Sequence, residues 1–118
     1  MTELNDKDFG KRSYISGFSF YGDVNPGTIE RLINEVIPAI GMTPIFNKAL
    51  FQWVEEGVGF IHVQCLYESC VLADAWPKHN GGYLIVVSCK PYDIGIVARV
   101  MRENNFTSLL CRDFNLWL

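Results

Sequence analysis

The side chains of this 118-residue chain best able to do chemistry lie between positions 62 and 89: His62, Cys65, Ser69, Cys70, Asp74, His79 and Cys89. Metal binding is the first chemistry to test, because His62-x-x-Cys65 is followed by Cys70. The set lacks paired Cys-x-x-Cys spacing, and strand alternation puts residues 62 and 65 on opposite faces. His62 therefore reads as a satisfied strand histidine, and no metal site is expected. His79 falls in a turn and reads as a solvated side chain. Ser69 has no G-x-S-x-G elbow around it, and no glycine-rich phosphate loop occurs, so a hydrolase is poorly supported. Cys89 ends an apolar strand; taken singly, it and Cys70 read as small inert hydrophobes.

Asp74 is harder to dismiss. In a strand over 70–76 it shares a face with Leu72 and Trp76. A carboxylate there needs a partner or a shifted pKa. It pairs with Lys78, Lys90 or an arginine, lies exposed at an edge, or belongs to a site.

These residues must be positioned by a fold, and the hydrophobic pattern outlines one. "SYISGFSFYG", 13–22, alternates like a strand. Asn25 and Pro26 open a helix that carries Ile29, Leu32, Ile33, Val36 and Ile37 on one face and is stopped by Pro38 and Gly41. Strands are expected at 43–54 and 59–67, joined through Glu55, Glu56 and Gly57. Two more, at 70–76 and 83–89, are joined through Pro77, Asn80, Gly81 and Gly82. "YDIGIVARVMRENN" places Ile94, Val97, Ala98 and Met101 on one face of a second helix, and a last strand follows at 106–114. The order is β-α-β-β-β-β-α-β, an α+β fold in which two helices cover one face of a largely antiparallel sheet. Apolar residues fall on both sides of 83–87 and the chain ends in "NLWL", so self-association through the sheet or its edge is expected.

Composition narrows the class. Hydrophobic residues make up 49% and charged residues 19%, which suits one folded domain over 13–118 behind a polar arm at 1–12. Net charge is -3 and the ten Lys and Arg residues are scattered, so no basic stripe exists to neutralise phosphates and nucleic acid is not an expected partner. No apolar run is long enough to span a bilayer, and "MTELNDKDFGKRS" is too polar for a secretory signal, so a cytoplasmic protein with no membrane partner is expected. The four cysteines, Cys65, Cys70, Cys89 and Cys111, then read as reduced thiols.

One stretch carries a resemblance. Glu68-Ser69-Cys70-Val71-Leu72-Ala73-Asp74-Ala75-Trp76-Pro77-Lys78, continued to Ser88-Cys89, resembles the core of the prokaryotic S-adenosylmethionine decarboxylases. In that family the segment runs Glu-Ser-His, a short apolar strand, His-Thr-Trp-Pro-Glu, and a strand ending Thr-Cys-Gly. Glu68, Ser69, Trp76, Pro77 and Cys89 match it without a gap. Outside 68–89 the similarity is one of element order and size.

The resemblance implies an α/β sandwich that pairs into dimers, and an enzyme that makes its own cofactor. The serine corresponding to Ser69 attacks the carbonyl of the preceding glutamate, the chain is cut between Glu68 and Ser69, and the serine becomes a pyruvoyl group. That group condenses with the substrate amine and takes up the electrons released as carbon dioxide leaves. Cys89 would protonate the substrate α-carbon; Glu68, Cys70 and Trp76 would contribute to binding a small-molecule substrate of polyamine biosynthesis. The chain departs from the pattern at Asp74 and Cys70, where the family has histidines, at Ile61, where it has serine, and at Lys78 and Lys90. Asp74 then stands in for the processing histidine. The alternative is an unprocessed, non-catalytic homologue that binds a small molecule or regulates an active paralogue.

Overall fold

The computed structural model describes residues 10–45 and 49–118. Alternation in RSYISGFSFY builds β1 (Arg12–Tyr21), with Ser16, Phe18 and Phe20 buried on one side. The first nine residues of the expected arm lie outside the described residues, and Arg12 already pairs with Trp117.

Helix α1 (Pro26–Ala39) starts where the sequence predicts. The Asn25 side chain accepts from Thr28 N at 3.0 Å, and the Thr28 hydroxyl accepts from Asn25 N at 3.0 Å. Pro38 lies inside its last turn; Gly41 ends the helix. With φ +73 at Gly41, Gly41 N donates to Pro38 O and Met42 N to Ile37 O, the Schellman pattern that satisfies the last carbonyls. Helix α2 (Ile94–Glu103) is capped by Asp93, which accepts from Gly95 N at 2.8 Å, and it buries Val97, Val100 and Met101.

The remaining strands are β2 (Leu50–Glu55), β3 (Gly59–Leu66), β4 (Ser69–Trp76), β5 (Gly81–Ser88) and β6 (Thr107–Trp117). The order along the chain is the expected β-α-β-β-β-β-α-β. The strand expected at 43–54 begins only at Leu50. Before it, Pro44 bridges to Leu66, while residues 46–48 lie outside the described residues.

Among the described residues the strands form one six-stranded sheet, β2-β3-β4-β5-β1-β6, with every neighbouring pair antiparallel. The fold is thus an α+β sandwich of two layers. Both helices cover one face and bury the core of Ile29, Leu32, Ile33, Val36, Val71, Ala73, Leu84 and Val86. Arg31 and the buried Asn104 join them, Nε to Oδ1 at 3.0 Å. Among the described residues no second layer covers the opposite, open face. On it stand Val63, Leu72, Trp76, Ile85 and Val87, all half-exposed, and Tyr83 and Phe114, exposed.

Candidate functional site

β3 ends at Leu66 and β4 begins at Ser69, so Tyr67 and Glu68 alone make the turn between them. This turn is clasped from two sides. The segment leaving α1 holds it first: Tyr67 N donates to Thr43 O and Thr43 N donates to Glu68 Oε1, both at 3.0 Å. Glu68 is wholly buried in consequence, and among the described residues its Oε2 has no hydrogen-bond partner. The segment leaving β5 holds the other side, with Cys89 N donating to the main-chain carbonyl of Glu68 at 2.8 Å.

Two residues aim that amide. Ser88 is buried, and its hydroxyl donates to Lys90 O at 2.7 Å while accepting from Lys90 N at 2.9 Å, which curls residues 88–90 into a tight bend. Lys90, also buried, sends its ammonium to Gly41 O at 2.6 Å, just past the negative end of α1. The lysine that departs from the decarboxylase pattern thus ties this bend to the helix layer.

Ser69 itself is exposed, opens β4 opposite Ser88, and has φ +149. That backbone region is essentially reserved for glycine and costs on the order of 1–3 kcal/mol for another residue. Strain therefore sits on the residue after a carbonyl whose oxygen is held by a fixed donor. Glu68, Ser69 and Cys89 are brought together, and Cys70 follows on the open face. The Cys70 thiol is half-buried; burial pushes its pKa up, and Cys65 directly across β3 adds to the effect.

Asp74 and Trp76 lie elsewhere. Asp74 is half-buried on the open face with Leu72 and Trp76, between Ile61 on β3 and Tyr83 on β5. Among the described residues no ion pair joins it to Lys78, Lys90 or an arginine. It stands five positions after Ser69, about 17 Å along β4. Trp76, further still, lies over Gly59, where a Cβ would come within 2.7 Å of the ring. It lines a cleft of about 420 Å³ with Ser19, Tyr21, His79 and Tyr83.

His62 and Cys65 do point to opposite faces, buried and exposed respectively, and His79 is exposed in its turn. His62, however, is not satisfied among the described residues: it is 4% exposed, and neither ring nitrogen finds a partner there. Burial lowers its pKa, against the pull of the Glu30 carboxylate. It packs edge-on to Phe51 beside a cavity of about 370 Å³ that Glu30, Asn34 and Gln64 also line. Among the described residues no group of three or more His, Cys, Asp or Glu side chains is placed to hold a metal ion, and no helix is long and apolar enough to cross a membrane.

Sequence reasoning missed Thr43, Ser88 and the Cys89 amide. Thr43 and the amide act through main-chain groups, which leave no mark on residue type. A serine two residues before a buried lysine is the only trace of the third.

The antiparallel sheet with both helices on one face is a two-layer α+β sandwich, and its element order matches a known fold. Among solved structures, the chain is similar to the adenosylmethionine decarboxylase from Aquifex aeolicus VF5, with a TM-score of 0.56 and 16% identity over 91% of this chain and 89% of that one. At that identity the likeness is one of fold. No protein-family model matches the sequence, and no curated protein matches it.

Proposed function

We propose that this chain is a pyruvoyl-dependent decarboxylase of S-adenosylmethionine or a related amino acid, a cytoplasmic enzyme of polyamine biosynthesis that cuts itself between Glu68 and Ser69. The observation that carries this reading is the strained Ser69 beside a Glu68 carbonyl held by Cys89 N at 2.8 Å.

The chemistry starts with attack of Ser69 Oγ on the Glu68 carbonyl carbon, which moves the acyl group from nitrogen to oxygen. Negative charge gathers on the carbonyl oxygen as this happens, and the Cys89 amide is a ready donor to it. Loss of the Ser69 α-proton then expels residue 68 as a carboxylate and leaves a dehydroalanine at 69. Water replaces its nitrogen, ammonia departs, and a pyruvoyl group caps the 69–118 fragment. When present, this group supplies the electron sink for loss of carbon dioxide from a bound amino acid. The residues fit its formation: an exposed serine, a strained backbone and a polarised carbonyl meet at one peptide bond.

Cys89, half-buried beside the turn, would return a proton to the substrate carbon, with Glu68 and Cys70 beside the substrate. Asp74 cannot reach Ser69 along its own strand, about 17 Å away. In this reading the carboxylate serving Ser69 comes from a second copy packed on the open face, so the working unit is a homodimer or a larger assembly. Trp76 and its cleft would meet that second copy or the substrate.

Replacement of two family histidines by Cys70 and Asp74 favours one competing reading, an unprocessed homologue that binds a small molecule or regulates an active paralogue. Release of carbon dioxide from carboxyl-labelled S-adenosylmethionine separates the two. The enzyme reading expects release by the native chain and none by Ser69→Ala; equal background in both leaves the non-catalytic reading.

A further inference from the structure

Cys65 and Cys70 are directly opposite each other across β3 and β4, on the open face, one pair removed from the two-residue turn that contains Glu68. Directly opposed residues of antiparallel strands have Cα atoms about 4.5–5.5 Å apart, within the roughly 4.4–6.8 Å that a disulfide spans. Their Cβ atoms, about 4.5–5.5 Å apart in such pairs, must close slightly to reach the mean near 3.8 Å. The bond therefore forms under some strain, which makes it easily reduced again. Both sulfurs are free, Cys65 exposed and Cys70 half-buried.

We infer that Cys65 and Cys70 are a site of reversible oxidation by a peroxide, forming an intrachain disulfide that staples the hairpin across the Glu68–Ser69 peptide bond. The exposed Cys65 reacts first: its thiolate attacks the peroxide oxygen, the O–O bond breaks, and a sulfenic acid and hydroxide result. The Cys70 sulfur displaces the sulfenic oxygen, which leaves as water. Two thiols and one hydrogen peroxide give one disulfide and two waters. Burial holds the Cys70 thiol protonated, so it resolves the reaction rather than starting it. The staple closes a six-residue loop, 65–70, around the peptide bond. If that bond is cut, the upstream and downstream fragments stay covalently joined. The inference stands whether or not the chain matures.

The experiment treats the full chain with hydrogen peroxide, alkylates the remaining thiols, unfolds the chain and digests it with a protease that cuts after glutamate. Cleavage after Glu68 separates Cys65 from Cys70 unless a disulfide links them. Expected is one linked pair of peptides, lighter by two hydrogens than their sum and released by a thiol reductant. The linkage should survive in a Cys89→Ser, Cys111→Ser double variant and vanish in Cys65→Ser and in Cys70→Ser. Separate alkylated or over-oxidised peptides, or a bond from either residue to Cys89, Cys111 or another chain, would overturn the inference. In a chain already cut at 68–69, linked fragments without protease support it, and free fragments oppose it.

Discussion

The amide nitrogen of Cys89 donates to the carbonyl oxygen of Glu68 at 2.8 Å, so the end of β5 polarises the peptide group that precedes Ser69. This bond assigns two separable jobs to one residue. The main chain of Cys89 serves the carbonyl before any cut, and its side chain is free for later chemistry.

That separation predicts different outcomes for two alanine variants. Cys89→Ala keeps the N–H, so cleavage should proceed, while loss of the thiol slows decarboxylation by about 10²–10⁴-fold, the usual contribution of a general acid. Ser69→Ala removes the attacking oxygen and should leave the chain whole. Denaturing gels and a carbon dioxide assay read the two effects separately.

Backbone strain at Ser69 predicts a stability difference between two uncut variants. Ser69→Gly accepts φ +149 without penalty, whereas Ser69→Ala keeps it. The glycine variant should be more stable by about 1–2 kcal/mol in urea unfolding, the strain less glycine's own entropic cost. A glycine variant less stable than the alanine variant, by glycine's own entropic cost of about 0.5–1 kcal/mol, would show that residue 69 is unstrained.

The unsatisfied His62 predicts a pH dependence. Its folded pKa lies below the ordinary 6.5, so near and below pH 6.5 the unfolded chain binds a proton that the folded chain does not. Stability is fully present above about pH 6.5 and falls as the pH drops through the folded pKa. His62→Leu, packed against Phe51 without an unpaired ring nitrogen, should lose this part of the acid sensitivity and be no less stable at neutral pH. Melting temperatures measured between pH 5 and 8 check the sign.

Much of this architecture was legible in the sequence, for identifiable reasons. Period-two alternation in 13–22 and the cap formed by Asn25, Pro26 and Thr28 are local signals, and both appear where expected. The faces of β4 followed too, with Asp74, Leu72 and Trp76 together on the open side. Residues 43–45 read as strand from their apolar and β-branched side chains, but their main chain is spent on the β3–β4 hairpin, bridging Leu66 and bonding Cys65, Tyr67 and the Glu68 carboxylate. Sheet order was not legible: β1 pairs with β5 and β6, and such non-local choices leave no periodic trace. At the site, residue types pointed to Glu68, Ser69 and Cys89, but the contact uniting them is a main-chain hydrogen bond. His62 looked like an ordinary core histidine because nothing in a sequence reveals a missing partner.

The distance between Asp74 and Ser69 predicts complementation between copies. Ser69→Ala cannot cut itself, and Asp74→Ala should cut slowly for want of the carboxylate. Co-expressed, the Asp74→Ala chain keeps its own Ser69 and receives Asp74 from its Ser69→Ala partner, so its cleavage should recover. Ile85→Glu, on the open face, should abolish that recovery and shift the protein to monomer by size-exclusion chromatography. Cleavage of Asp74→Ala unaffected by the partner would place the general base elsewhere.

The most direct measurement is the intact mass of the purified protein after prolonged incubation, under reducing conditions. Self-processing predicts a 68-residue fragment ending in Glu68 and a 50-residue fragment whose first residue is pyruvoyl, reactive towards borohydride and hydroxylamine. A single unmodified chain of 13.4 kDa would contradict the account.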